Sequence, residues 1–172
     1  MLRKIVPLFL LAWAAMAQGV YVGGGPSAYA STTPHLAGDF MVGVCTATEA
    51  TCSLTNVEGR SSLASPNTIN YAVESGVKQR LALVVNESFS AELFSLAMAG
   101  GDIGGTATAG VFSGGGGVAF RAAKYPNWSL IFAVRAAYSP INPGWQPWGN
   151  IQAGYTFHSA ATSTIKAKLL CR

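Results

Sequence analysis

Charge is scarce in this chain. Asp, Glu, Lys and Arg supply 10% of its 172 residues, against about a quarter in ordinary soluble domains, so the usual solvated surface is not encoded. Long apolar runs are missing too. The stretch Ile5 to Ala15 falls short of the ~20 residues a spanning helix needs and no other approaches it, which excludes a bundle of membrane helices. No segment of the body has a helical period. Neither G-x-x-x-x-G-K-[ST] nor G-x-G-x-x-G occurs, so no phosphate cradle, nucleotide or other cofactor is indicated. Basic residues form no stripe with interleaved aromatics, which argues against nucleic acid as a partner. Three cysteines and two histidines, His35 and His158, match no common zinc spacing, and no metal ligand is named.

What is present begins with a leader. Arg3 and Lys4 precede the apolar run, and Ala15-Met16-Ala17 is a small-x-small cleavage site, so residues 1–17 read as a secretory signal peptide cut near Ala17. Its removal leaves nine basic residues against seven acidic ones, with Lys166, Lys168 and Arg172 crowded at the end. Export places the chain where disulfides persist. Cys45 and Cys52, flanking T-A-T-E-A-T, are expected to bridge a hairpin, while Cys171 is left to be free or to pair elsewhere.

The body is read as all-β. Short alternating segments recur between Gly, Pro, Asn and Ser punctuation, placing eight strands at about 18–29, 37–45, 51–58, 67–81, 88–99, 108–123, 128–138 and 148–158. The seventh is the most informative: Trp128, Leu130, Phe132, Val134, Ala136 and Tyr138 share one face, an apolar stripe closed at both ends by an amphipathic aromatic, as a strand crossing a bilayer requires. Connections alternate between short ones, T-A-T-E-A, V-N-E-S and K-Y-P-N, and longer ones, S-T-T-P, G-R-S-S-L-A-S-P, G-G-D-I-G-G-T and S-P-I-N-P-G-W-Q-P-W-G. The run Gly114 to Gly117 keeps the parity of Phe112, Val118 and Phe120 and reads as strand rather than loop.

Leader, alternating strands and the last strand N-I-Q-A-G-Y-T-F together resemble the small eight-stranded outer-membrane β-barrel proteins of Gram-negative bacteria. The resemblance covers about residues 18–158 and implies an antiparallel up-and-down transmembrane β-barrel, in contact with outer-membrane lipid, with its termini on the periplasmic side. Ile151, Ala153, Tyr155 and Phe157 match the aromatic-ended final strand of those proteins, and 159–172 continue past it as a C-terminal extension.

Parity then assigns the charges. Residues opposite the apolar faces, Glu74, Lys78, Arg80, Glu92, Arg121 and Arg135, are expected to line the lumen as a charge network, as either an interior plug or a gate. Trp128, Tyr138, Tyr155 and Phe157 form the aromatic girdle. Trp145 and Trp148, among prolines, are placed in an outer loop, where they anchor in the headgroup zone or meet a surface ligand. His35 near Asp39 and His158 beside Ser159 are chemically permissible bases, yet no residue is assigned catalysis. The expected function is non-enzymatic: a structural, adhesive or envelope-maintenance role with a charge-filled lumen. The alternatives are a narrow small-solute channel and a secreted β-sandwich binding module.

A lipid-facing apolar band should keep the mature chain in the outer-membrane fraction through alkaline extraction. Recovery as a soluble monomer without detergent would favour the sandwich.

Overall fold

The computed structural model describes residues 19–29, 35–62, 65–104, 107–139 and 142–158; within these, the side chains of 35, 62–70, 103–108, 139 and 142–144 are not described. The leader, the extension and Cys171 lie outside the described residues. Eight strands follow one another: β1 (Gly19–Tyr29), β2 (His35–Cys45), β3 (Thr51–Ser62), β4 (Ser65–Val85), β5 (Phe89–Gly104), β6 (Ala107–Ala122), β7 (Trp128–Ser139) and β8 (Asn142–His158). Each pairs antiparallel with its sequence neighbour, and β8 returns to β1, closing the barrel. The alternative of a β-sandwich is thereby overturned: one sheet closes on itself and leaves no second sheet to pack against.

The register fixes the shape. Followed strand to strand from Gly19, the pairings run through Cys45, Cys52, Lys78, Leu96, Gly115, Arg135 and Trp148 and re-enter β1 at Tyr29, a stagger of ten residues. For eight strands such a stagger means a tilt of about 40° and an interior only wide enough for side chains. Trp128 and Tyr138 lie ten residues apart on β7. At ~3.3 Å per residue and that tilt they are separated by about 25 Å along the axis, the height of an outer-membrane apolar band.

Alternation puts Val73, Val77, Leu93, Phe112, Phe120, Leu130, Phe132, Val134 and Ile151 on the outside, all exposed. The termini end is closed by tight turns. Asn86 Oδ1 accepts from the backbone N–H of Ser88 and Phe89 at 2.8 Å each, and Ala122 O accepts from Tyr125 N at 2.9 Å. In the β2–β3 turn Glu49 takes a left-handed φ of 56°, which points its side chain back into the barrel mouth. Cys45 and Cys52 face each other beside that turn and are disulfide-bonded inside the lumen.

The distal connections differ from expectation. Serine, glycine and proline stretches read as long loops are largely strand: β3 runs on to Ser62, β4 starts at Ser65, β5 reaches Gly104 and β8 starts at Asn142. Beyond the lipid, the ladder continues without an apolar face to mark it, so alternation has nothing to show. Pro147 fits because β1 pairs with β8 only as far as Tyr29–Trp148, which leaves Asn142–Pro147 an edge with β7 alone. At the other end β4 bulges at Leu81, between Arg80–Phe94 and Ala82–Leu93, which breaks parity and continues the strand to Val85.

Gly23 and Gly154 pair directly across the β1–β8 closure, and the Tyr21 ring lies over both. A Cβ on either would overlap its phenol. Replacing Gly154 with Val should force Tyr21 out of the lumen and lower unfolding stability by about 1–3 kcal/mol, read from urea titration of the refolded barrel, whereas Ala153→Val on the lipid face should be tolerated.

Candidate functional site in the barrel lumen

The interior is layered. At the termini end, Lys78 Nζ meets Glu92 Oε1 at 2.5 Å and Arg80 holds Glu92 Oε2 through Nε at 3.1 Å and a terminal nitrogen at 2.9 Å. Beside them Glu49 joins Arg121 and His158, whose Nε2 lies 2.5 Å from Glu49 Oε1. Lys78 also sits over the Phe94 ring, 5.2 Å from its centroid.

A middle layer is apolar: Tyr21, Met41, Leu54, Phe94, Leu96 and Ile131 pack with the disulfide. These residues come from the inward faces of β1, β2, β3, β5 and β7, so the interior of this barrel is not uniformly polar. The enclosed space among them amounts to about 20 Å³, room for roughly one water.

The distal layer is a second charged network. Arg135 donates to Glu74 Oε2 at 3.1 Å and to Ser113 Oγ at 3.2 Å, lies 3.6 Å from Glu58 Oε2, and stacks its guanidinium 3.6 Å from the Trp148 ring centroid. Ser113 in turn donates to Glu74 Oε1 at 2.6 Å. Arg60 bridges Glu58 at 2.7 Å and Asp102 at 3.2 Å, and Tyr29 donates to Glu58 Oε2 at 2.9 Å. Buried charges survive in a low-dielectric interior only when paired in this way.

The six lumen positions read from parity all lie inside the barrel, but in two clusters rather than one: Lys78, Arg80, Glu92 and Arg121 near the termini, Glu74 and Arg135 distally. Tyr155 contacts both Trp128 and Phe157, with ring centroids 5.1 and 4.6 Å apart, forming one belt outside the barrel. Tyr138 pairs with Trp145 at 5.7 Å in the opposite belt. Trp148 is a correction. It is not an outer-loop aromatic but a strand residue only 2% exposed in the lumen, because parity on β8 continues from Gln152 and Asn150 to position 148. Trp145, on the other parity, is exposed, and likewise belongs to β8 rather than to a loop.

Sequence reasoning missed Glu49, Glu58, Arg60 and Asp102. Glu49 lies in a turn, where parity has no meaning. Glu58 and Arg60 share an inward face with Cys52 and Leu54, opposite Thr51, Ser53 and Thr55, so apolar-out reasoning gives no polar side to follow. Asp102 lies beyond the expected end of its strand. The signal available was the parity of β3 counted from Val57 outward. Asp39, noted only as a neighbour of His35, is likewise inside, accepting from Asn150 Nδ2 at 3.0 Å. The His35 side chain and Ser159 lie outside the described residues.

No protein-family model matches the chain, and no curated protein does. Among solved structures it is similar to Neisserial surface protein A, at 14% identity with a TM-score of 0.53, covering 82% of this chain and 96% of that one. The fold is that of the small eight-stranded outer-membrane barrels. A second match, at 14% identity and a TM-score of 0.42, is Ail, the attachment invasion locus protein of Yersinia pestis, solved with the heparin analogue sucrose octasulfate; it covers 81% of this chain and 97% of that one.

Glu92→Gln should leave Lys78 and Arg80 without their carboxylate and cost about 3–5 kcal/mol in unfolding stability. Ser90→Ala, on the same strand and parity, should stay within about 0.5 kcal/mol. Equal effects from the two substitutions would show that the termini-end network contributes nothing specific.

Proposed function

We propose that the chain is exported, cleaved near Ala17 and inserted in the outer membrane as a non-conducting, non-enzymatic barrel with a structural or envelope-maintenance role. The observation that carries this reading is the filled lumen. Two ion-paired layers enclose an apolar middle layer whose free space is about 20 Å³, too little for a hydrated solute. That filling speaks against the small-solute channel, and the charge network serves as an interior plug. The exposed apolar band between the Trp128–Tyr155–Phe157 and Tyr138–Trp145 belts supports lipid as the main partner, with the aromatics at headgroup level.

For catalysis a nucleophile needs a base within reach. Glu49, the acid beside His158, is itself engaged by Arg121, and neither histidine is assigned such a partner. The distal rim, including Trp145 at 66% exposed, is the surface through which an adhesive role would act.

Purified barrel reconstituted in planar bilayers should show no discrete conductance steps, in wild type and in Glu92→Gln alike. Steady single-channel openings in wild type would overturn the plug and restore the channel.

A further inference from the structure

The distal half of the lumen holds more acid than base. Asp39, Glu58, Glu74 and Asp102 are buried there against Arg60 and Arg135. The guanidinium groups are committed to Glu58, Asp102 and Glu74, and among the described residues no cation pairs with Asp39. The distal connections 30–34, 63–64, 105–106 and 140–141 contain no Lys or Arg. His35, the other titratable residue at that end of β2, is four positions from Asp39, about 13 Å along an extended strand.

Asp39 also faces Glu58 directly across the β2–β3 ladder, an arrangement of like charges that is repulsive by itself. Around it are oxygens with nothing to accept. Asp39 Oδ1, Asn150 Oδ1 and Asn56 Oδ1 are all buried without a hydrogen-bond partner. Asn56 stands two residues before Glu58 on the same inward face, 1% exposed, and its amide nitrogen is equally unpartnered. Asn150 is already tied to Asp39 through Oδ2, which leaves its own carbonyl oxygen and Asp39 Oδ1 to a third party.

We propose that Asp39, Asn56 and Asn150 bind a hard divalent cation of the Ca²⁺ class in the distal lumen, with water completing its coordination. The donors are all oxygen, one carboxylate and two amide carbonyls, which suits Ca²⁺ and not the softer metals that take sulfur or imidazole. Four carboxylates against two guanidinium groups leave two negative charges, the complement of a single divalent ion. The low-dielectric interior makes that neutralisation necessary. With one carboxylate ligand, affinity belongs in the weak range, Kd on the order of 10⁻⁴ to 10⁻³ M. Reading the chain alone named no metal ligand, because two of the three donors are asparagines on strands far apart in sequence.

The test is to refold the full mature chain in detergent with excess Ca²⁺ or with a chelator. Calorimetric titration should give one saturable site, and Ca²⁺ should raise the temperature at which the folded band converts to the unfolded one on an unboiled gel. Asp39→Asn and Asn56→Leu should each weaken binding at least tenfold, while Glu92→Gln, in the termini-end cluster, should bind as wild type does. If Asp39→Asn fails to refold, Asn56→Leu carries the test, since it keeps the side-chain volume and extends the apolar layer of Met41 and Leu54. No saturable Ca²⁺ binding by folded wild type, or stabilisation produced by lowering pH and not by Ca²⁺, would overturn the proposal: the acids would then be neutralised by protons. Neither result bears on conductance, so the plug reading stands or falls separately.

Discussion

Everything inside this protein follows from the closure of β8 onto β1. In lipid an open sheet edge would leave backbone N–H and C=O groups without partners, at several kcal/mol each, so the sheet must meet itself. Closure of eight strands with a ten-residue stagger then dictates an interior about as wide as facing side chains are long. The pairing of Gly23 with Gly154 at that seam, with Tyr21 laid across both, shows how little room is left: one aromatic fits only because two side chains are missing.

A narrow, water-poor interior forces its charges into pairs, and here they are paired by position along the axis. The termini-end cluster shares Glu92 between Lys78 and Arg80 and Glu49 between Arg121 and His158; the distal cluster threads Arg135 and Arg60 through Glu74, Glu58 and Asp102. The apolar layer of Met41, Leu54, Phe94, Leu96 and Ile131 keeps the two apart. The result is a lumen with base in excess toward the termini and acid in excess at the other end. That imbalance, rather than any single residue, is what makes the distal half a place for a cation.

Much of the fold was legible in the chain. Strand β7 could be read outright, because its apolar face is continuous and ends in Trp128 and Tyr138, and lipid demands such a face wherever a strand crosses. The glycine run of β6 was legible by the same parity, carried across it from Phe112 to Val118. Strand ends were not. Past the lipid, at Ser62, Gly104 or Asn142, no apolar side is required, so pairing goes on among residues that look like turns. Trp148 was misplaced for that reason, although its parity with Asn150 and Gln152 pointed inward.

The sequence by itself determined the class of the protein, its strand count and which side of most strands meets lipid, since these depend on an alternation that every crossing strand must carry. Tertiary structure alone decided who meets whom inside. Glu74 finds Arg135 from 61 residues away and Asp39 finds Asn150 from 111. Such partners are set by the stagger of the closed sheet, a property of the ring as a whole that no local pattern of residues encodes.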